Sequence, residues 1–213
     1  MFARFALAAA AMMVVVTASN VLVQYPVMAD LGPLHLGDLL TWGAFTYPFA
    51  FLVTDLTNRF DGARRARQVV LVGFAVALVL SAYLSTPRIA IASASAFLVG
   101  QLLDIAVFAR LRNRFWILPP LTASLLGSAL DTLIFFTLAF APALAGIDAA
   151  FGHPDGSLGD TAPWLGLGAP VPLWLSLATG DFAVKFLAAL LLLAPYRALM
   201  NMMMPYRMAT AAT

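Results

Sequence analysis

Six apolar runs of about 20 residues occupy most of this 213-residue chain, at about Phe5–Gln24, Leu39–Thr57, Val69–Ser85, Ile89–Ala109, Ile117–Ala141 and Val171–Pro195. A helix crossing about 30 Å of hydrocarbon at about 1.5 Å per residue needs that length. The runs therefore predict six transmembrane helices with short connections. Only 10% of the residues are charged and 62% are hydrophobic, against about 25% charged in soluble domains. The expected fold class is all-α, a polytopic membrane protein forming one domain over residues 1–213, with no room for a large soluble domain. The chain has no cysteine, which excludes disulfides, thiolate catalysis and cysteine-bound metals.

The arginines orient the spans. Arg4 precedes the first; Arg59, Arg64, Arg65 and Arg67 follow the second; Arg110, Arg112 and Arg114 follow the fourth; Arg197 and Arg207 follow the sixth. Ten of the twelve basic residues thus fall on one side. The other side holds Arg88, with Asp30, Asp38, Asp148, Asp155, Asp160 and both histidines, His35 and His153. By the positive-inside rule both termini are expected in the cytoplasm. The net charge of +2 reflects this asymmetry and gives no signal for nucleic acid. Arg4, Phe5–Thr17 and Val27–Ala29 mimic a signal peptide, but the apolar stretch runs on to Tyr25, and removing it would place the basic loops at odds with a cytoplasmic C-terminus. The long connection Pro142–Pro170 is rich in Gly, Pro and Asp and lacks basic residues, so an extracytoplasmic loop is expected there.

Within the apolar runs stand four carboxylates and the only lysine: Asp55, Asp104, Asp131, Asp181 and Lys185. An ionised side chain at the bilayer centre costs about 2.5–3.5 kcal/mol even on the insertion scale, so such residues pair, face a polar cavity or mark a path. Helical spacing groups them with other polar residues. Thr17, Asn20 and Gln24 align in the first span, and Tyr47, Phe51, Asp55 and Asn58 in the second. Gln101, Asp104 and Phe108 share a face of the fourth; Ser124, Ser128, Asp131 and Phe135 share one of the fifth; Asp181 and Lys185 are i, i+4 in the sixth. Only the third span is nearly featureless, which predicts a lipid-facing helix. Gly100, Asp104 and Phe108 also echo Gly127, Asp131 and Phe135 as G-x3-D-x3-F, a pattern that duplication and coincidence explain equally well.

Each stripe also has a structural reading. Serine and amide side chains tie membrane helices together, Asp181 and Lys185 can neutralise each other, and Asp55 lies near the Arg59–Arg67 cluster. Asp104 and Asp131 have no basic residue within a turn on their own helices, so a ligand, a proton or Lys185 across the bundle must satisfy them. Carboxylates, amides and aromatic rings in one dry cavity suit a planar heterocycle, because a carboxylate accepts from two adjacent N–H groups and a ring stacks on Phe or Tyr. Guanine-like bases, pterins and flavins all fit that description. Enzyme readings lack support: no G-x-G-D precedes the aspartates, no G-x-S-x-G elbow is present, and no metal-ligand spacing occurs. Neither cofactor nor metal is expected.

Thr41–Gly62 (TWGAFTYPFAFLVTDLTNRFDG) resembles the queuosine-precursor transporter family of small bacterial inner-membrane proteins. Ala18–Val27, Gly100–Arg112, Pro120–Phe136 and Gly180–Phe186 carry the likeness in the same order, over about a third of the chain. The resemblance implies import of 7-deazaguanines, 7-cyano- and 7-aminomethyl-7-deazaguanine, for salvage into tRNA queuosine, and a six-helix fold similar to the substrate-binding components of vitamin importers. It implies as substrate-binding residues Asn20, Asp55, Asn58, Gln101, Asp104, Ser124, Ser128, Asp131, Asp181 and Lys185. Asp104 and Asp131 are the expected readers of the N1–H and 2-amino edge, with Gln101, Asn20 or Asn58 answering the carbonyl. Asp61, before Gly62, departs from the aromatic-glycine pair of relatives, and Pro142–Pro170 is longer than usual. The expected partners are the small-molecule 7-deazaguanine and membrane lipid, with an energising chain or self-association left open. The alternative is the ligand-binding membrane component of a multi-subunit vitamin or pterin importer.

Overall fold

The computed structural model describes residues 2–32, 34–152 and 157–203; His153, Asp155 and Arg207 lie outside them. The helices run α1 (Phe2–Leu22), α2 (Trp42–Thr46), α3 (Pro48–Asp61), α4 (Ala63–Leu84), α5 (Pro87–Leu111), α6 (Leu118–Ala139), α7 (Ala145–Ala150), α8 (Leu173–Leu191) and α9 (Leu193–Met203). Among the described residues five helical stretches are long and apolar enough to cross a membrane: α1, α4, α5, α6 and α8–α9. The chain is an all-α polytopic membrane protein, with two short hairpins outside those stretches. These are β1 (Asp30–Leu31) with β2 (Leu34–His35), and β3 (Thr161–Trp164) with β4 (Leu167–Pro172), each antiparallel.

The second apolar run does not form the single helix expected from Leu39 to Thr57. It begins at Trp42, breaks at Tyr47 and continues to Asp61. Pro48 is the cause: lacking an N–H it cannot bond the carbonyl of Ala44, while Tyr47 keeps helical dihedrals (φ −56, ψ −39), so the axis bends without unwinding. The helix beyond the bend buries Thr54, Asp55, Thr57 and Asn58, a polarity no lipid-facing segment tolerates. At its end Gly62 adopts φ +84, donates its N–H to the Asn58 carbonyl at 3.1 Å and receives the N–H of Arg65 and Ala66 at 3.1 Å. One residue, in a conformation that favours glycine, thus reverses the chain from α3 into α4.

The centre of the bundle is the antiparallel α5–α6 pair. A Cβ on Gly100 would lie 2.9 Å from the Asp131 Cβ and 3.0 Å from the Gly127 carbonyl oxygen. One on Gly127 would lie 3.0 Å from the Gly100 carbonyl, 3.2 Å from the Asp104 Cβ and 2.8 Å from the Phe51 ring. The two G-x3-D segments therefore face each other reciprocally, each glycine backing the other helix's aspartate. Small residues at such a crossing let membrane helices approach closely where no hydrophobic effect drives them together.

The third run, expected as a nearly featureless lipid-facing helix, leaves most of its apolar stretch unburied but packs one face into the bundle. Ala66, Val69, Val70 and Ala77 of α4 are buried in a core with Met12, Val16, Ala50, Phe97 and Ile105, and Ser81 donates to Asn20 Oδ1 at 2.8 Å. Its apolar stretch is 28% buried, between 22% for α1 and 17% for α8–α9 on one side and 39% for α6 and 56% for α5 on the other. A sequence of Val, Leu and Ala suits a packed helix and a lipid-facing one equally.

Contacts gather the arginine-rich segments at one end. Arg4 reaches Asp61 at 3.5 Å, so the acid that departs from the family pattern pairs with the N-terminal arginine. Arg65 lies over the Phe5 ring, and Arg197 over Trp116 at 4.8 Å. Arg59 donates from Nε to Tyr196 Oη at 3.0 Å and from Nη1 to the Arg112 carbonyl at 2.7 Å, while Arg112 donates back to the Arg59 carbonyl. At the opposite end Arg88, the exception to the charge asymmetry, pairs with Asp148 of α7: its Nε donates to Oδ2 at 3.0 Å, its backbone N–H to Oδ1 at 2.9 Å, and its Nη1 to the Ala139 carbonyl. Both side chains are 1% exposed. Burial pushes the Asp148 carboxyl up, but the Arg88 backbone N–H and guanidinium, with the Thr86 hydroxyl, outweigh that and hold it below the usual range. The β3–β4 hairpin of the long connection folds back on α8, where Leu165 N–H reaches Ser176 Oγ at 3.1 Å.

Candidate functional site

The bend at Tyr47 and the α5–α6 crossing separate two cavities lying toward opposite ends of the bundle. The larger, about 150 Å³, is lined by Val16, Ser19 and Asn20 of α1, by Val23 just beyond that helix, by Thr41, by Gly43, Ala44 and Tyr47 about the bend, and by Ala77 and Ser81 of α4. Ser93, Ala96 and Phe97 of α5, Asp131 and Phe135 of α6, and Asp181 and Lys185 of α8 complete it. The smaller, about 20 Å³, lies toward the arginine-rich end, between Phe51, Asp55, Ser124, Ser128, Lys185 and Tyr196. Lys185 lines both.

The polar end of the larger cavity is an ion triad. Lys185 Nζ donates to Asp131 Oδ2 at 2.6 Å, to Asp181 Oδ2 at 2.5 Å and to Thr132 Oγ1 at 3.2 Å. Its three donors are all engaged. Tyr47 Oη donates to Asp131 Oδ1 at 2.8 Å, and Thr132 donates to Asp181 Oδ2 at 2.7 Å. The ammonium also lies 5.1 Å from the centre of the Tyr47 ring, within cation–π range. Asp131 therefore has both oxygens occupied, through a lysine on another helix and a tyrosine at the bend. Asp181 has one oxygen engaged and a side chain 19% exposed.

Asn20 forms the other polar part of this cavity. It donates to its own helix at Val16 O, 2.9 Å away, and accepts from Ser81. Its expected companions do not join it: Thr17 and Gln24 are exposed, and Ser19, bonded to Thr46 at 3.0 Å, takes the inward position instead. Tyr47 and Phe97 meet edge to face with centroids 6.1 Å apart, and Phe135 adds a third ring to the lining.

The remaining predicted residues lie elsewhere. Asp55 and Ser124 line the smaller cavity, joined by a bond of 3.2 Å from Ser124 Oγ to Asp55 Oδ2, and Ser128 lines it too. Asp104, Gln101 and Asn58 line neither cavity. They are 0% exposed at the α3–α5 interface, where Thr54 donates to Gln101 Oε1 at 2.6 Å and Asn58 to the Ile105 carbonyl at 3.0 Å. Phe108 stacks under Arg59 at 5.1 Å. The two unpaired aspartates of the sequence are thus separated: Asp131 is paired across the bundle, and Asp104 has no hydrogen bond on either oxygen. Sequence reasoning passed over Ser19, Ser81, Ser93 and Thr132. Each is a lone hydroxyl in an apolar run, and only the neighbouring Asn20 and Asp131 could have marked two of them.

Comparison with known proteins gives three results. The family model described as "Putative vitamin uptake transporter" matches residues 41–86 and 79–199. The "Queuosine precursor transporter" of Escherichia coli (strain K12) is 34% identical over 214 residues, covering 90% of this chain and 84% of that protein. The "Probable queuosine precursor transporter" of Haemophilus influenzae is 39% identical over 153 residues, 59% of this chain and 65% of that protein. No solved structure matches. A membrane bundle with a buried ion triad in its larger cavity, matched along most of its length by these relatives, belongs to the queuosine precursor transporter family, a family of membrane transporters rather than enzymes.

Proposed function

We propose that this protein imports queuosine precursors of the 7-deazaguanine class across a bacterial inner membrane, as a single domain of six crossings with both termini in the cytoplasm. In this reading α2 and α3 together make the second crossing, and the arginine-rich end faces inward by the positive-inside rule. The reading rests most on one observation: an acidic wall, Asp131 and Asp181 held by Lys185, closes a cavity of about 150 Å³ that also carries an amide and three aromatic rings. That volume is well below the roughly 300–1,000 Å³ of drug-sized pockets. It suits a ligand no larger than a fused bicyclic base.

Asp181 is the carboxylate with an oxygen to spare, so it is assigned to the N1–H and 2-amino edge, with Asp131 beside it and Asn20 toward the carbonyl. Tyr47, Phe97 and Phe135 supply stacking faces. Asp55, Asn58, Gln101, Asp104 and Ser128 stand outside this cavity, and a direct role for them in reading the base is not part of the assignment.

Replacing Asp181 by Asn removes a charged acceptor while keeping the shape. Hydrogen bonds to charged groups contribute about 1.5–3 kcal/mol, so binding of 7-cyano-7-deazaguanine is expected to weaken roughly 10- to 150-fold. The measurement is ligand-dependent thermal stabilisation of the purified protein across deazapurines, purines and pterins. Stabilisation by pterins or purines in preference to deazaguanines would overturn the substrate class. Binding without uptake by the protein alone in liposomes would point instead to a component of a multi-subunit importer.

A further inference from the structure

Four buried oxygens beside the α5–α6 crossing have no donor: Asp55 Oδ1, Asp104 Oδ1 and Oδ2, and Asn58 Oδ1. Asp55 is 2% exposed; Asp104 and Asn58 are 0% exposed. The amides brace the two acids from both sides. Thr54 and Asn58, flanking Asp55 on α3, bond to Gln101 and Ile105, flanking Asp104 on α5, so the two acids lie on segments of α3 and α5 that are tied together. This is an acceptor-rich enclosure in which Gln101 Nε2 is the one side-chain amide donor also left over.

Nearby cations are committed elsewhere. Arg59, one turn beyond Asp55, spends Nε on Tyr196 and Nη1 on the Arg112 carbonyl, keeping only Nη2 unengaged. Lys185 of α8 spends its donors on Asp131, Asp181 and Thr132. From α1 and α4, Arg4 holds Asp61 and Arg65 holds Gln68 at 2.8 Å, while Arg64 and Arg67 are exposed. From α6 the pair meets Ser124, which donates to Asp55, and the Gly127 backbone, with Asp131 a turn farther on. Among the described residues the one cation close to the pair is the partly committed Arg59 guanidinium, and two buried carboxylates facing a single such charge do not both stay ionised. Either a proton or a metal cation must serve them.

The available space decides between these. The adjoining cavity holds about 20 Å³, is reached by Asp55 but not by Asp104, and is too small for a heterocycle. A sodium-sized ion would need a space that both carboxylates line. A proton needs none. We propose that Asp55 and Asp104 form a proton-binding site, in which at least one of the two buried carboxyls holds a proton, and that its loading and release couple the proton gradient to transport through the neighbouring cavity. The proton passes between water and a carboxylate oxygen, with no other bond made or broken. The site does not depend on which ligand the larger cavity takes.

The test uses the full chain in liposomes. Infrared difference spectra across a pH titration should show a protonated-carboxyl C=O band that changes in frequency or intensity in Asp55→Asn and in Asp104→Asn, disappears when both are replaced, and shifts in frequency but persists in Asp55→Glu and Asp104→Glu. The glutamate variants keep the test open where an asparagine variant fails to fold. Uptake of labelled 7-cyano-7-deazaguanine under an inside-alkaline gradient should exceed equilibration in the wild type and fall to a ratio of one in the asparagine variants, while counterflow exchange falls less than about threefold. A protein with no such band, or one stabilised by sodium over choline at fixed pH, would overturn the site. Accumulation that survives in both asparagine variants would overturn the coupling. If the wild type moves no deazaguanine, the proposed substrate fails, and the infrared band still decides the site.

Discussion

Lys185→Met is the substitution whose cost can be worked most directly from the structure. The methionine keeps the length and apolar stem of lysine but removes an ammonium that makes three hydrogen bonds within 3.2 Å, two of them to carboxylates at 2.5 and 2.6 Å. Asp131 would retain Tyr47 and Asp181 would retain Thr132, so each carboxylate keeps one neutral donor and loses its charge partner. Breaking a buried pair by removing one partner costs about 3–5 kcal/mol. At about 2–4 °C per kcal/mol for a chain of this size, the melting temperature should fall by roughly 6–20 °C. The four tryptophans report unfolding by intrinsic fluorescence in detergent. Adding Asp131→Asn to Lys185→Met should recover part of the loss, because one of the two stranded charges is then gone, giving a non-additive double-mutant cycle. A fall below about 2 °C for Lys185→Met, or strict additivity of the pair, would show that the triad is not the buried, mutually dependent unit described.

Two other perturbations test the scaffold. Gly127→Ala places a Cβ 2.8 Å from the Phe51 ring and 3.0 Å from a backbone oxygen; the ring can turn but the carbonyl cannot, and a loss of about 1–3 kcal/mol is expected from overpacking, read as a lower melting temperature together with reduced uptake. The Arg88–Asp148 pair carries a pH signature. The Asp148 carboxyl is depressed in the folded state, so its contribution is present above the unfolded value of about 3.9 and is lost as pH falls through the lower folded value. Melting temperature should show an acid-side loss below about pH 4 that Asp148→Asn lacks, and that variant should be less stable at neutral pH.

How much was legible follows the physics of each residue. Hydropathy over 20 residues reports burial away from water, which placed α1, α4, α5, α6 and α8–α9 closely. It does not distinguish lipid from protein as the apolar surrounding, so the packed face of α4, with Ala66, Val69, Val70 and Ala77, was not separable from its exposed face. The bend at Tyr47 was visible as Pro48, but the apolar run was read through it. For the site, i, i+4 spacing found Asp181 with Lys185 because both lie on one helix. The partnership of Lys185 with Asp131 spans 54 positions, and periodicity along one helix carries no information about a neighbour's rotation. Thr17 and Gln24 failed for a related cause: α1 is apolar all round, and its polar residues do not define a single inward face.

The reciprocal backing of glycine and aspartate across α5 and α6 also works as a ruler. Gly100 stands level with Asp131, and Asp104 with Gly127, so the two acids differ in depth by four helical residues, about 6 Å at 1.5 Å each. Sliding α5 by one turn would bring Ala96 or Asp104, the residues that share its face with Gly100, against the Gly127 carbonyl that now requires a glycine. The spacing cannot drift, and whatever binds at Asp131 is held a fixed step along the membrane normal from whatever binds at Asp104.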